Sequence, residues 1–163
     1  MPPGQPTNPT APDWEYLIAH HFPNRYSRTL EIRPRGRAYH FCARCSGELL
    51  GFVAFFAVFL LLPEFAALRA SPIVALILGI CPVVAFVDWL TQTLRAREST
   101  NALRVASGAL LGAAFGGLVA YGLTAHWLLF GLGLTVAGFY LATAMVVLYR
   151  TGAWNRVIAE HFP

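Results

Sequence analysis

The sequence predicts an all-α, polytopic membrane protein with four transmembrane helices and both termini cytoplasmic. Three observations carry that expectation. Charged residues make up 12% of the chain and hydrophobic residues 56%, whereas a soluble domain carries about 25% charged residues. Four apolar stretches approach or reach the roughly 20 residues that a helix needs to cross hydrocarbon. The arginines cluster outside alternate ends of those stretches, the pattern that orients a chain in a bilayer.

A length of 163 residues fits one domain. Mean hydropathy is +0.54, which points to lipid as the solvent. There are twelve arginines, no lysine and a net charge of +4. The basic residues flank apolar segments, so membrane topology accounts for them and nucleic acid is not expected as a partner. The implied location is the inner (cytoplasmic) membrane.

Residues 1–12 are rich in Pro, Thr and Gly without an apolar run. They read as a disordered tail and show no secretory signal. Residues 13–45 form an N-terminal cytoplasmic or interfacial segment. Asp13 caps a short helix there, with Glu15 in its first turn. Trp14, Tyr16, Leu17 and Ile18 suit the headgroup layer, and Pro23 ends the helix after His20, His21 and Phe22. Residues 24–41 hold Arg25, Arg28, Arg33, Arg35 and Arg37 with Pro34 and Gly36, which reads as a loop or a short hairpin.

The bundle is expected over 46–149, with helices at about 46–62, 72–92, 102–123 and 126–149, followed by a cytoplasmic tail at 150–163. The first is short for a span unless Cys45 lies at the interface. Pro82 should kink the second, and Cys81 beside it reads as a small packing residue. Gly108, Gly112 and Gly116 put a small residue at every fourth position of the third helix. Such a stripe lets backbones approach closely, within the bundle or in an oligomer. Eleven of the twelve arginines fall on one side, and Arg69 is the exception. The short echo between residues 18–23 and 158–163 is too brief to build a repeat fold on.

Two groups of residues carry the chemistry. Cys42 and Cys45 form a Cys-x-x-Cys pair at the mouth of the first helix. In a reducing cytoplasm a structural disulfide is disfavoured, leaving metal binding, redox work or simple packing. The spacing lets both sulfurs reach one zinc ion. His20 and His21, on the same side of the membrane, are the candidate further ligands, with His40 and His161 as fallbacks. The second group is Asp88, Gln92 and Arg95, then Arg97, Glu98, Ser99, Asn101 and Arg104. Asp88 sits within an apolar run, where an ionisable group faces a partner or serves function. It either acts chemically or pins helices by pairing with Arg95 or Arg104. Glu48 poses the same question one turn into the first helix. Ser99 or Thr100 caps the third helix.

With these residues in hand, the chain resembles an uncharacterised family of small predicted integral membrane proteins, the domain of unknown function numbered two thousand and eighty-five. Cys42-Ala43-Arg44-Cys45-Ser46-Gly47 resembles its Cys-Ala-Arg-Cys-Thr-Gly element. Asp88 and Gln92 match its Asp-x-x-x-Gln element. Arg97-Glu98-Ser99-Thr100-Asn101 with Arg104 matches its Arg-Glu-Ser-Thr-Asn-x-x-Arg element. The family's Cys-His-Gln element is replaced by His20-His21-Phe22, which keeps a zinc ligand in place of a thiol.

Two functional expectations follow. In the first, zinc on His20, His21, Cys42 and Cys45 activates water, Asp88 and Glu98 move protons, and Gln92, Arg97, Ser99, Asn101 and Arg104 hold an anionic headgroup or phosphate-bearing substrate. In the second, the metal is structural and a non-enzymatic bundle binds or moves an anionic lipid or small solute.

Overall fold

A computed structural model describes residues 27–155. The expected tail at 1–12, the short helix after Asp13, His20, His21 and His161 all lie outside the described residues. The chain divides into two compact units, residues 1–43 and 44–163.

In the first unit an antiparallel hairpin joins β1 (Thr29–Ile32) to β2 (Tyr39–Cys42), with Thr29 opposite Cys42 and Ile32 opposite Tyr39. A 3-10 turn at Pro34–Gly36 connects them. Pro34 presets the first turn residue, while Gly36 takes a positive φ of 79° that suits glycine. Glu31 accepts a hydrogen bond from Arg33 Nε at 2.5 Å, which holds its carboxyl below the usual carboxylate range. This hairpin is the one departure from an all-α reading among the described residues.

The second unit is helical. Its members are α1 (Ala43–Leu61), the short α2 (Ala66–Arg69), α3 (Pro72–Ile80), α4 (Pro82–Thr93), α5 (Asn101–Leu123) and α6 (Trp127–Arg150). Four helical stretches, with α3 and α4 counted as one, are long and apolar enough to cross a membrane. Helix α1 starts three residues before the expected position and takes in Cys45. Its 19 residues make about 28 Å at 1.5 Å per residue, close to the hydrocarbon thickness. The break between α3 and α4 falls at Cys81, where Pro82 supplies no amide. Tyr140 steadies the break by donating its hydroxyl to the Gly79 carbonyl at 2.9 Å.

Large apolar side chains point outward all along the bundle, with Leu128 84% and Phe139 69% exposed. Water would not tolerate that surface, whereas lipid does. Hydroxyls on the outer faces turn back onto their own helices. Thr135 donates to the Gly131 carbonyl and Thr143 to the Phe139 carbonyl, so neither faces hydrocarbon unpaired.

Helix α5 is central, touching α3, α4 and α6. It also lies directly against α1: a Cβ on Gly108 would strike the Arg44 carbonyl, and one on Gly112 the Glu48 carbonyl. The contact is reciprocal, since a Cβ on Gly47 would strike Val105 and one on Gly51 would strike Ala109. The glycine stripe is thus used inside the chain to bring two backbones together. At the far end Phe59, Leu78, Ala120 and Tyr121 form a buried core, with Phe59 and Tyr121 edge to face at 5.6 Å.

Candidate functional site

The polar residues of the second unit converge where α1 and α5 begin and α4 ends. Asp88 is 1% exposed, on the inner face of α4. Its carboxylate receives Arg44 from α1 and, at 2.8 Å, Arg97 from the α4–α5 connection. Gln92, one turn on, donates to Asp88 Oδ2 at 2.8 Å. Ser99, 7% exposed, donates to the Thr100 carbonyl at 3.4 Å. Two guanidiniums and an amide, from α1, α4 and the α4–α5 connection, therefore meet on one carboxylate.

Gln92 carries the network onward. Its Oε1 accepts from Arg104 Nη2 at 3.0 Å. Arg104, 5% exposed, also reaches Asn101 Oδ1 at 3.0 Å and Glu98 Oε2 at 3.1 Å. Of the sequence-predicted group, Asp88, Gln92, Arg97, Glu98, Asn101 and Arg104 therefore belong to one connected cluster. Their polar groups bond to one another.

Two local readings change. Asp88 pairs with Arg44 and Arg97, not with Arg95 or Arg104. Arg95 leaves the shared helix face because α4 stops at Thr93. Its φ is 59°, its amide bonds the Gln92 carbonyl, and the Ala96 amide bonds the Thr91 carbonyl. That is a Schellman turn with arginine where glycine is usual. Of the two capping candidates, Thr100 caps α5 by accepting from the Leu103 amide at 3.3 Å.

Arg44 is the residue that sequence reasoning missed. It was counted for topology and as part of the Cys-x-x-Cys element, yet it supplies the third helix of the cluster. Its place between the two cysteines was the available signal. Of those cysteines, Cys42 is buried and Cys45 exposed. The fallback ligand His40 bonds the Thr29 hydroxyl through Nδ1 at 3.1 Å. Among the described residues no group of three or more His, Cys, Asp or Glu side chains could hold a metal ion. His20 and His21 lie outside them.

Beside the polar cluster, an apolar cavity of about 660 Å³ runs between α3–α4, α5 and α6. Its wall includes Leu78, Phe86, Leu118 and Val136, with Arg44 and Tyr121 among the lining residues. Two buried polar atoms have no hydrogen-bond partner, Arg44 Nε and the Tyr121 hydroxyl.

A multi-pass helical membrane protein with a buried polar lock is the class that these features define. The chain belongs to the family described as "Predicted membrane protein (DUF2085)", which it matches over residues 24–118. It is also 34% identical over 74 residues to an uncharacterised protein of Methanothermobacter thermautotrophicus. That alignment covers 45% of this chain and 63% of the relative's length. No solved structure matches.

Proposed function

We propose that the chain is a non-enzymatic inner-membrane protein that binds an anionic amphiphile, such as a lipid, between its helices. The observation that carries this reading is the apolar cavity of about 660 Å³ with an arginine in its wall. Such a volume is ordinary for a small-molecule site, and a guanidinium in hydrocarbon favours a carboxylate or phosphate head. The polar cluster argues against proton transfer by Asp88, because two guanidiniums and the Gln92 amide already bond its carboxylate. The cluster instead locks α1, α4 and α5 together. The arginine count favours the cytoplasmic face for this polar end. Zinc held by His20 or His21 with Cys42 and Cys45 would then be structural. Metal analysis of the parent and of a Cys42→Ser, Cys45→Ser variant checks that assignment, since equal zinc in both would overturn it.

Titration of the delipidated full chain in detergent with hexadecanoate and with hexadecanol tests the main reading. Tighter binding of the anion, with the preference lost in Arg44→Gln, is the expected result. Equal affinities in the parent would overturn it, as would binding that a bulky Ala137→Trp change in the cavity wall leaves intact.

A further inference from the structure

The register of the hairpin gives it two unlike faces. Residues directly opposite in an antiparallel pair share a face, and neighbours along a strand alternate. Leu30 lies opposite Phe41 and Ile32 opposite Tyr39, so one face is an apolar and aromatic strip. Thr29, Glu31, His40 and Cys42 share the other face. Bonds on that second face agree with the division. The Thr29 hydroxyl meets His40 Nδ1 at 3.1 Å, and Glu31 accepts from Arg33. On the apolar strip Ile32 is 54% exposed, while Leu30, Tyr39 and Phe41 are half-buried. A lone two-stranded hairpin is marginal in water, so this strip calls for a cover.

The tip adds charge to the strip. The Arg37 amide bonds the Pro34 carbonyl at 3.2 Å across Arg35 and Gly36. Arg35 has φ 53° and ψ 32°, and Gly36 has φ 79°. A pair of positive φ values is the mark of a two-residue hairpin loop, where asparagine or glycine usually comes first. A long side chain is uncommon and strained there, yet here it sets a guanidinium at the outermost point. Arg33 is answered by Glu31. Among the described residues the exposed side chains of Arg35 and Arg37 have no partner.

The hairpin is tied to a span. Strand β2 ends at Cys42 and α1 begins at Ala43, with no linker between them. From Arg37 to Cys42 the strand advances about 17 Å at 3.4 Å per residue. The tip therefore stays within that distance of the start of a membrane helix. An apolar strip bearing an aromatic residue beside a basic tip suits the headgroup layer, where the strip meets the acyl boundary and guanidiniums meet phosphates. Nucleic acid would match the charge but leave the strip wet.

We infer that the hairpin is a docking surface for anionic phospholipid, with Leu30, Ile32, Tyr39 and Phe41 turned to the acyl boundary and Arg35 and Arg37 on headgroup phosphates. This surface uses none of the cavity residues and stands apart from the amphiphile reading above.

The test places the full chain in vesicles of equimolar phosphatidylcholine and phosphatidylglycerol with matched acyl chains. A benzoylphenylalanine photocrosslinker replaces either Ile32 or Glu31. Irradiation yields abundant lipid adducts from position 32 and few from position 31. At position 32 phosphatidylglycerol adducts exceed phosphatidylcholine adducts about fivefold, the value of one arginine at an anionic surface. Arg35→Asn combined with Arg37→Gln brings the two lipids to equal yield while lipid adducts persist. Asparagine suits the left-handed position better than arginine, so that loss of preference is not loss of the hairpin. Absence of lipid adducts from position 32 would overturn the inference, as would equal lipid yield from positions 31 and 32. So would equal yield of the two lipids in the parent, or a headgroup preference that survives the double change.

Discussion

A single buried carboxylate sets the arrangement of the polar end. Asp88 is 1% exposed, and two guanidiniums answer it from different parts of the chain. Leaving a buried charge without its partner costs about 3–5 kcal/mol. Asp88→Asn keeps the size of the side chain but turns an amine toward Arg44 or Arg97. It should therefore lower stability by about 3 kcal/mol, read as thermal unfolding of the purified protein in detergent. Arg97→Gln should cost less than about 1 kcal/mol, because Arg97 is 41% exposed and solvent screens it. Equal effects from the two changes would remove Asp88 as the lock. The importance of Asp88 was legible from its position in an apolar run. Its partners were not, because Arg44 lies 44 residues away. The left-handed turn at Arg95 also removed a residue that simple helix spacing had placed on the same face. Nothing in the sequence marks that turn, since glycine, its usual sign, is absent.

Among the elements, α5 shows how a polar-poor sequence still packs specifically. Lipid tails are as apolar as leucine, so hydrophobicity does not draw helices together, and close fit does the work. The stripe of Gly108, Gly112 and Gly116 was readable at every fourth position, and so was its preference for close contact. Which helix it would meet was not, because a stripe names no partner. The answer depends on the matching Gly47 and Gly51 of α1, a second pair four residues apart whose register with α5 only the packed helices reveal. Gly112→Leu would drive a side chain into the Glu48 carbonyl. Backbone cannot step aside as a side chain can, so α1 and α5 must separate, at a cost of about 1–3 kcal/mol or more. Gly138→Ala is the contrast. A Cβ there meets nothing within 4 Å, and alanine favours helix by about 0.8–1.0 kcal/mol. Thermal unfolding should fall with the first change and hold or rise with the second. A loss of similar size in both would mean that the glycines serve helix flexibility and not close approach.

For the molecule as a whole, the number of spans and the placement of arginine decide orientation together. Four spans would return the helical unit to the side on which α1 begins, whichever side that is. The choice then falls to the arginines, and among those described in the helical unit Arg69 is the single one at the opposite end. Its role there is local. Arg69 Nη1 bonds the carbonyls of Phe59 and Leu60 at 2.5 and 3.3 Å, two of the acceptors that a helix leaves open at its C-terminus. A guanidinium spent on α1 in this way is a cap, and its presence on the sparse side does not weigh against the rest. Both termini should therefore face the cytoplasm. A reporter fused after residue 163 that fluoresces only in the cytoplasm should be bright, and a phosphatase active only outside should be silent there. Arg69→Gln should fray the end of α1 while leaving both reporters unchanged. Reporter activity that inverted on that single change would give Arg69 a topological role, and the arginine count could no longer be the determinant.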